Sequence, residues 1–192
     1  DATCTEKGWN AYETCSRCNY TTYEEIPLIS HNYINMICTY CGQDQSSENL
    51  EYNLLSDDTY EVISIQNCND RNIVIPLKYN NKAVTSIASN VFNGTSIQSI
   101  TLSSNIKVIK DYAFSNCSSL KTLYYNGTMK DWCNITFTTA SSNPMFTVTN
   151  VYMLNDSNEY YKVNSSGREL LLEEPINAGM YTVKVIQEET NN

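Results

Sequence analysis

Basic residues are scarce in this 192-residue chain, where 12 Lys and Arg stand against 21 Asp and Glu for a net charge of −9. Phosphate backbones need a basic face, so nucleic acid is not an expected partner. Histidine is scarcer still. The single one, His31, lies among cysteines, which leaves no Ser-His-Asp or Cys-His arrangement with a spare base. Apolar runs are short, and none approaches the ~20 residues of a membrane-spanning helix. Phosphate-loop and dinucleotide-binding patterns are missing as well. The acid pairs Glu24-Glu25, Asp57-Asp58 and Glu173-Glu174 read as solvated turns. Adjacent residues on a strand point to opposite faces and would not flank one scissile bond. Catalysis is therefore not expected. Asp1 opens directly on polar residues with no leader-like segment, as expected of a piece cut from a longer, multidomain chain.

What is present is a repeat. Val84-Thr-Ser-Ile87 through Leu102 and Ile106-Lys-Val-Ile109 through Tyr125 carry the same pattern. Phe92 matches Phe114 and Ile87 matches Ile109 at a step of 22; Ile97 then matches Leu120 at 23. Ile100 and Leu102 fall on Leu123 and Tyr125. A fixed period of twenty-odd residues implies a solenoid, in which each coil buries its apolar face against its neighbours. Ile87 and Ile109 are expected to point inward, Phe92 and Phe114 to fill the space between coils, and Cys117 to be a packed free thiol. Upstream, Leu50–Leu54 and Tyr60–Ile65 read as strands of a hairpin around an acidic turn, and Ile73–Ile75 as a short strand.

These phrases resemble the BspA-like leucine-rich repeat, a short-period class common on bacterial cell surfaces. The segment from Gly127 through Trp132, Cys133 and Phe137 to Met145 is similar to the element that closes short runs of such repeats, with Trp132 as a terminal plug. The resemblance spans roughly 50–163. It implies a mainly β fold with short helices and turns, a leucine-rich-repeat solenoid of few coils occupying 49–163. It also implies an extracellular or cell-surface location and a role in adhesion. The expected partner is a protein or cell-surface ligand.

Eight cysteines are unevenly distributed, with Cys4, Cys15, Cys18, Cys38 and Cys41 inside the first 41 residues. Cys15-Ser-Arg-Cys18 and Cys38-Thr-Tyr-Cys41 have 19 residues between them, a spacing that reads as a Zn2+ site. Asn19 and Gly42 follow the two pairs and are the residue types that tolerate positive φ, as a zinc knuckle requires. Four thiolates would close the coordination shell and make the ion structural. A segment of this size, 1–48, needs such a staple. Cys4 and His31 are alternative ligands. Their phrases, Ala-Thr-Cys4-Thr-Glu-Lys-Gly8 and Glu-Glu-Ile-Pro27-Leu-Ile-Ser-His31, resemble a small module of large bacterial surface proteins. That resemblance implies a site of Cys4, Cys15, Cys18 and His31. Six candidates thus compete for four places, and disulfides in an oxidising compartment are the remaining alternative. Tyr12, Tyr20, Tyr23 and Tyr33 are expected to form a miniature core.

Beyond the repeats, 164–192 reads as a β-hairpin tail or the start of an immunoglobulin-like module. The functional expectation is a non-catalytic surface module that binds through a repeat face. An accessory region of a large secreted hydrolase is the alternative.

Overall fold

The computed structural model describes residues 1–34, 36–65, 68–155 and 159–163; the expected tail at 164–192 lies outside them. The chain separates into two compact units, Asp1–Gln45 and a second beginning at Ser46.

The second unit is a solenoid with two parallel sheets. It opens with β5 (Glu51–Leu54) and β6 (Tyr60–Ser64), an antiparallel hairpin turning at Asp57-Asp58, where Asp58 has φ 67°. Strand β7 (Asn72–Val74) follows. Then β8 (Lys78–Tyr79) and β9 (Lys82–Ile87) form a tight hairpin through Asn80 and Asn81, at φ 47° and 64°. Asparagine tolerates the left-handed region that such a two-residue turn demands. The remaining strands are β10 (Ser99–Ser103), β11 (Val108–Ile109), β12 (Thr122–Asn126), β13 (Thr136–Phe137), β14 (Asn150–Leu154) and β15 (Tyr160–Lys162).

Strands β6, β9, β11 and β13 stack in parallel as one sheet, and β7, β10, β12 and β14 as the other. Each coil therefore contributes one strand to each sheet. The antiparallel strands β5 and β15 pair at opposite ends of the stack, where they occupy one edge of each sheet. Register aligns the coils residue by residue. Val62, Ile87, Ile109 and Phe137 form one inward ladder; Ile73, Ile100, Leu123 and Val151 form the other. All eight belong to a single buried core.

Stacking continues through the turns. The amides of Asn90, Phe92 and Gly94 donate to the carbonyls of Asp111, Ala113 and Ser115 at 2.9–3.0 Å. Phe92 and Phe114 are buried between coils, and Cys117 is a buried free thiol whose Sγ donates to the Phe92 carbonyl at 2.9 Å. Between β12 and β13 a short helix, α1 (Met129–Trp132), starts at a capping box made by Thr128 and Asp131. It buries Trp132 against Tyr125 and Phe137. Trp132 is not terminal, because the coil built from β13 and β14 stacks beyond it.

The first unit has little regular structure: β1 (Gly8–Trp9) pairs β2 (Glu25–Ile26), and β3 (Tyr33–Ile34) pairs β4 (Ile37–Cys38). Gly8 is required by close approach, since a Cβ there would stand 2.3 Å from the Ala2 nitrogen. The expected tyrosine core does not form. Tyr12, Tyr20 and Tyr23 are exposed, and the buried apolar side chains among the described residues of this unit are Cys4, Met36 and Cys38. A tyrosine-lined interior needs a second layer to pack against, and these short strands supply none.

Candidate metal centre and the faces of the solenoid

Backbone pairing in the first unit converges on four side chains. Thr3 turns the chain locally, its hydroxyl accepting the amides of Thr5 and Glu6 at 3.2 and 2.9 Å. Its carbonyl takes the Ile29 amide at 3.0 Å, which holds Cys4 near the segment leading to His31. The Asn32 carbonyl accepts Thr39 N–H at 2.9 Å, which holds the Cys38–Cys41 turn beside the same histidine. Gly42, at φ 73°, donates to the Cys38 carbonyl at 2.8 Å and closes that turn.

As a result, one donor atom each from Cys4, His31, Cys38 and Cys41 lies within 4.8 Å of all the others. Cys4 Sγ stands 3.9 Å from Cys38 Sγ, and Cys41 Sγ stands 3.5 Å from His31 Nδ1. The edge of a tetrahedron with ~2.3 Å metal–sulfur bonds is about 3.8 Å, and an edge with one shorter metal–nitrogen bond is slightly less. Both separations fit. Tyr33 stacks on the His31 ring, with centroids 5.5 Å apart and planes 21° apart.

Electrostatics set the thiols apart. Burial, reinforced by the neighbouring Cys41 and Cys38, pushes Cys4 up to about 11. Burial also opposes the Cys38 thiolate, but the amides of Cys41 and Tyr40 and the His31 ring outweigh it and hold this thiol at about 6. Amides aimed at a cysteine sulfur are the knuckle arrangement that stabilises thiolate.

Cys15 and Cys18 are not part of this group. They occupy the tip of a separate hairpin in which Thr14 bridges Thr21 and the Cys15 amide donates to the Tyr20 carbonyl at 2.9 Å. Arg17 N–H reaches Cys15 Sγ at 3.4 Å, and Cys18 is exposed. The neighbouring Cys18 side chain and then the Arg17 amide lower the Cys15 thiol. Asn19 does not take the positive φ that Gly42 takes. The set favoured by spacing alone, Cys15, Cys18, Cys38 and Cys41, is thus divided between two places, while the alternative ligands Cys4 and His31 stand beside the second pair. Nothing in the spacing reveals this, because the pairing of Thr3 with Ile29 is long-range.

On the solenoid, the outward positions of the second sheet carry Val74, Thr101, Tyr124 and Tyr152 in register, beside a row of Asn72, Ser99, Thr122 and Asn150. Tyr124 and Tyr152 stack at 5.1 Å and 14°, and Tyr160 meets Tyr124 edge-on at 5.8 Å. An open groove of about 850 Å³ runs along this face, lined in part by Asn72, Ser99, Thr122, Lys121 and Tyr124. The turn side is different. There Asn116 donates to Asn93, and Asn93 to Asn90, at 2.9 and 3.0 Å.

Residues 61–165 match the family described as the BspA type leucine rich repeat region (6 copies). The chain belongs to the BspA-type leucine-rich repeat family. The BspA-type match begins within β6 and runs past β15, so it takes in every coil of the solenoid and leaves the cysteine-rich unit outside. Three solved structures of leucine-rich proteins are similar at low identity. The T. pallidum leucine rich repeat protein is 17% identical over 43% of each chain, with a TM-score of 0.35. A leucine rich cell surface protein from Faecalibacterium prausnitzii A2-165 is 23% identical over 42% of this chain and 23% of its own, at 0.37. A leucine-rich repeat protein from Bacteroides capillosus ATCC 29799 is 19% identical over 58% of this chain and 100% of its own, at 0.38. This BspA-type chain thus spans less than half the length of the first two. No curated protein matches it.

Proposed function

We propose that this chain is a non-catalytic module of a cell-surface or secreted protein that binds a protein or cell-surface ligand through the outward face of β7, β10, β12 and β14. The supporting observation is the row of Asn72, Ser99 and Thr122 that lines an open groove together with Tyr124, on whose ring Tyr152 stacks. Tyrosine supplies large, amphipathic contact area at low entropic cost, and Ser, Thr and Asn supply adaptable hydrogen bonds. Parallel stacking repeats these side chains at the strand spacing of ~4.8 Å, so contact area extends with each coil. The first unit is held by a structural zinc ion, which makes it a stiff module and not a catalytic one.

The test is binding to immobilised matrix proteins, mucin and epithelial cell surfaces. Tyr124→Thr/Tyr152→Thr carries the residue found at the same register position, Thr101, and keeps the strand character. Saturable binding by the native chain, lost in this variant at an unchanged melting temperature, supports the reading. Absence of saturable binding on every surface, or binding that the variant retains in full, contradicts it.

A further inference from the structure

Within the reading of a zinc-held first unit, and resting on it, we infer that the ion is bound by Cys4, His31, Cys38 and Cys41, and that Cys15 and Cys18 form a separate, solvent-reachable dithiol.

Three observations carry the ligand set. The four donor atoms share one space, all within 4.8 Å, and the Cys4–Cys38 and Cys41–His31 separations of 3.9 and 3.5 Å match the edges of a tetrahedral site with three sulfurs and one nitrogen. Cys4 and Cys38 are 4% and 1% exposed, so these two sulfurs sit inside the unit and not on its surface. Those two cysteines and Met36 are also the buried apolar side chains among the described residues of the unit, too few to hold some 45 residues by burial alone. The core of this unit is its metal site.

The donor set also selects the ion. Three soft thiolates and one imidazole suit zinc over the hard, oxygen-seeking magnesium or calcium. His31 faces Cys41 through Nδ1, which makes Nδ1 the ligand atom in this set. With four protein ligands the shell is closed, and no position remains for a water to be activated.

Cys15 and Cys18 share the knuckle feature of an amide aimed at the first sulfur but, among the described residues, bring no third or fourth donor with them. Two ligands do not complete a tetrahedral site. At this hairpin tip Cys18 is exposed and Cys15 half-buried, so both are within reach of reagents, whereas Cys4 and Cys38 are buried and the exposed Cys41 would be shielded by the bound metal.

The experiment is native mass measurement of the full chain purified without chelator, followed by alkylation with iodoacetamide in the native state and mapping of the modified cysteines. The inference predicts one bound zinc, rapid labelling of Cys15 and Cys18, and protection of Cys4, Cys38 and Cys41 that disappears on chelation. One bound zinc with Cys15 and Cys18 protected overturns the ligand set while leaving the zinc reading standing. No bound zinc overturns the zinc reading itself, and the ligand set with it. A second measurement covers His31, which alkylation does not report. His31→Ala should weaken zinc retention by ~10-fold or more, since even outer partners of metal ligands are worth 10–100-fold. Cys15→Ser/Cys18→Ser should retain zinc as the native chain does; loss of zinc in that variant contradicts the assignment.

Discussion

Phe92 and Phe114 stack with ring centroids 4.8 Å apart and planes 12° from parallel, both sealed from solvent between successive coils. The contact is the repeat made visible. A 22-residue step brings equivalent rings into register, and the backbone bonds from Phe92 to Ala113 and from Gly94 to Ser115 fix the spacing of the coils that carry them.

Phe114→Ala removes the ring that separates these coils. A loss of ~3–5 kcal/mol is expected, the usual range for truncating a buried aromatic side chain. Urea unfolding at constant slope checks it; a midpoint shift equivalent to less than ~1 kcal/mol would show that the ring does not hold the coils together.

Tyr125→Phe should leave stability unchanged or raise it by ~1 kcal/mol. The phenol is buried, and its oxygen finds no hydrogen-bond partner among the described residues, so its removal relieves an uncompensated desolvation. Burial also pushes this phenol far above its ordinary value, so it stays protonated at any physiological pH. A clear fall in melting temperature would mean that the hydroxyl is satisfied.

Lys110→Ala is expected to destabilise by ~1–2 kcal/mol. Glu61 is nearly buried, and its Oε1 is shared by Lys110 Nζ at 2.8 Å and the Ser86 hydroxyl at 2.7 Å. Removing the cation leaves the carboxylate with a neutral donor only, while a half-exposed lysine in itself contributes little. Thermal melts of Lys110→Ala, Glu61→Gln and the double variant would separate the pair from its parts; additive effects would contradict coupling.

Gly8→Ala should disrupt the first unit, because the added carbon would stand 2.3 Å from the Ala2 nitrogen and 2.6 Å from the Asp1 carbonyl carbon. Backbone must shift, and the shift propagates to the Thr3–Ile29 bond that places Cys4. Faster loss of metal to a chelator than in the native chain is the expected result; unchanged retention would mean that the strand pair can spread without moving Cys4.

Much of the solenoid was legible because its inward positions are strictly periodic. The steps of 22 and 23 located Ile87, Phe92, Ile97, Ile100 and their partners, all of which are buried. Two coils escaped the pattern. The coil of β6 and β7 has no phenylalanine at the turn, and that of β13 and β14 buries Met145 on a short 3-10 segment. With the last coil unread, Trp132 appeared terminal. The outer tyrosine row was invisible for another reason: Thr101, Tyr124 and Tyr152 align only once register is known, and outward residues follow no apolar period. In the first unit, cysteine spacing announced a site but not its membership, which depends on where the chain from Thr3 to Ile29 closes.

The most direct test of the account is hydroxyl-radical footprinting of the chain, free and saturated with whichever surface ligand captures it. Protection of Tyr124, Tyr152 and Tyr160, with Tyr112 and Phe146 on the turn side unchanged, is the predicted result. Protection confined to Tyr112 and Phe146, or to the tyrosines of the first unit, would contradict the assignment of the sheet face as the binding surface.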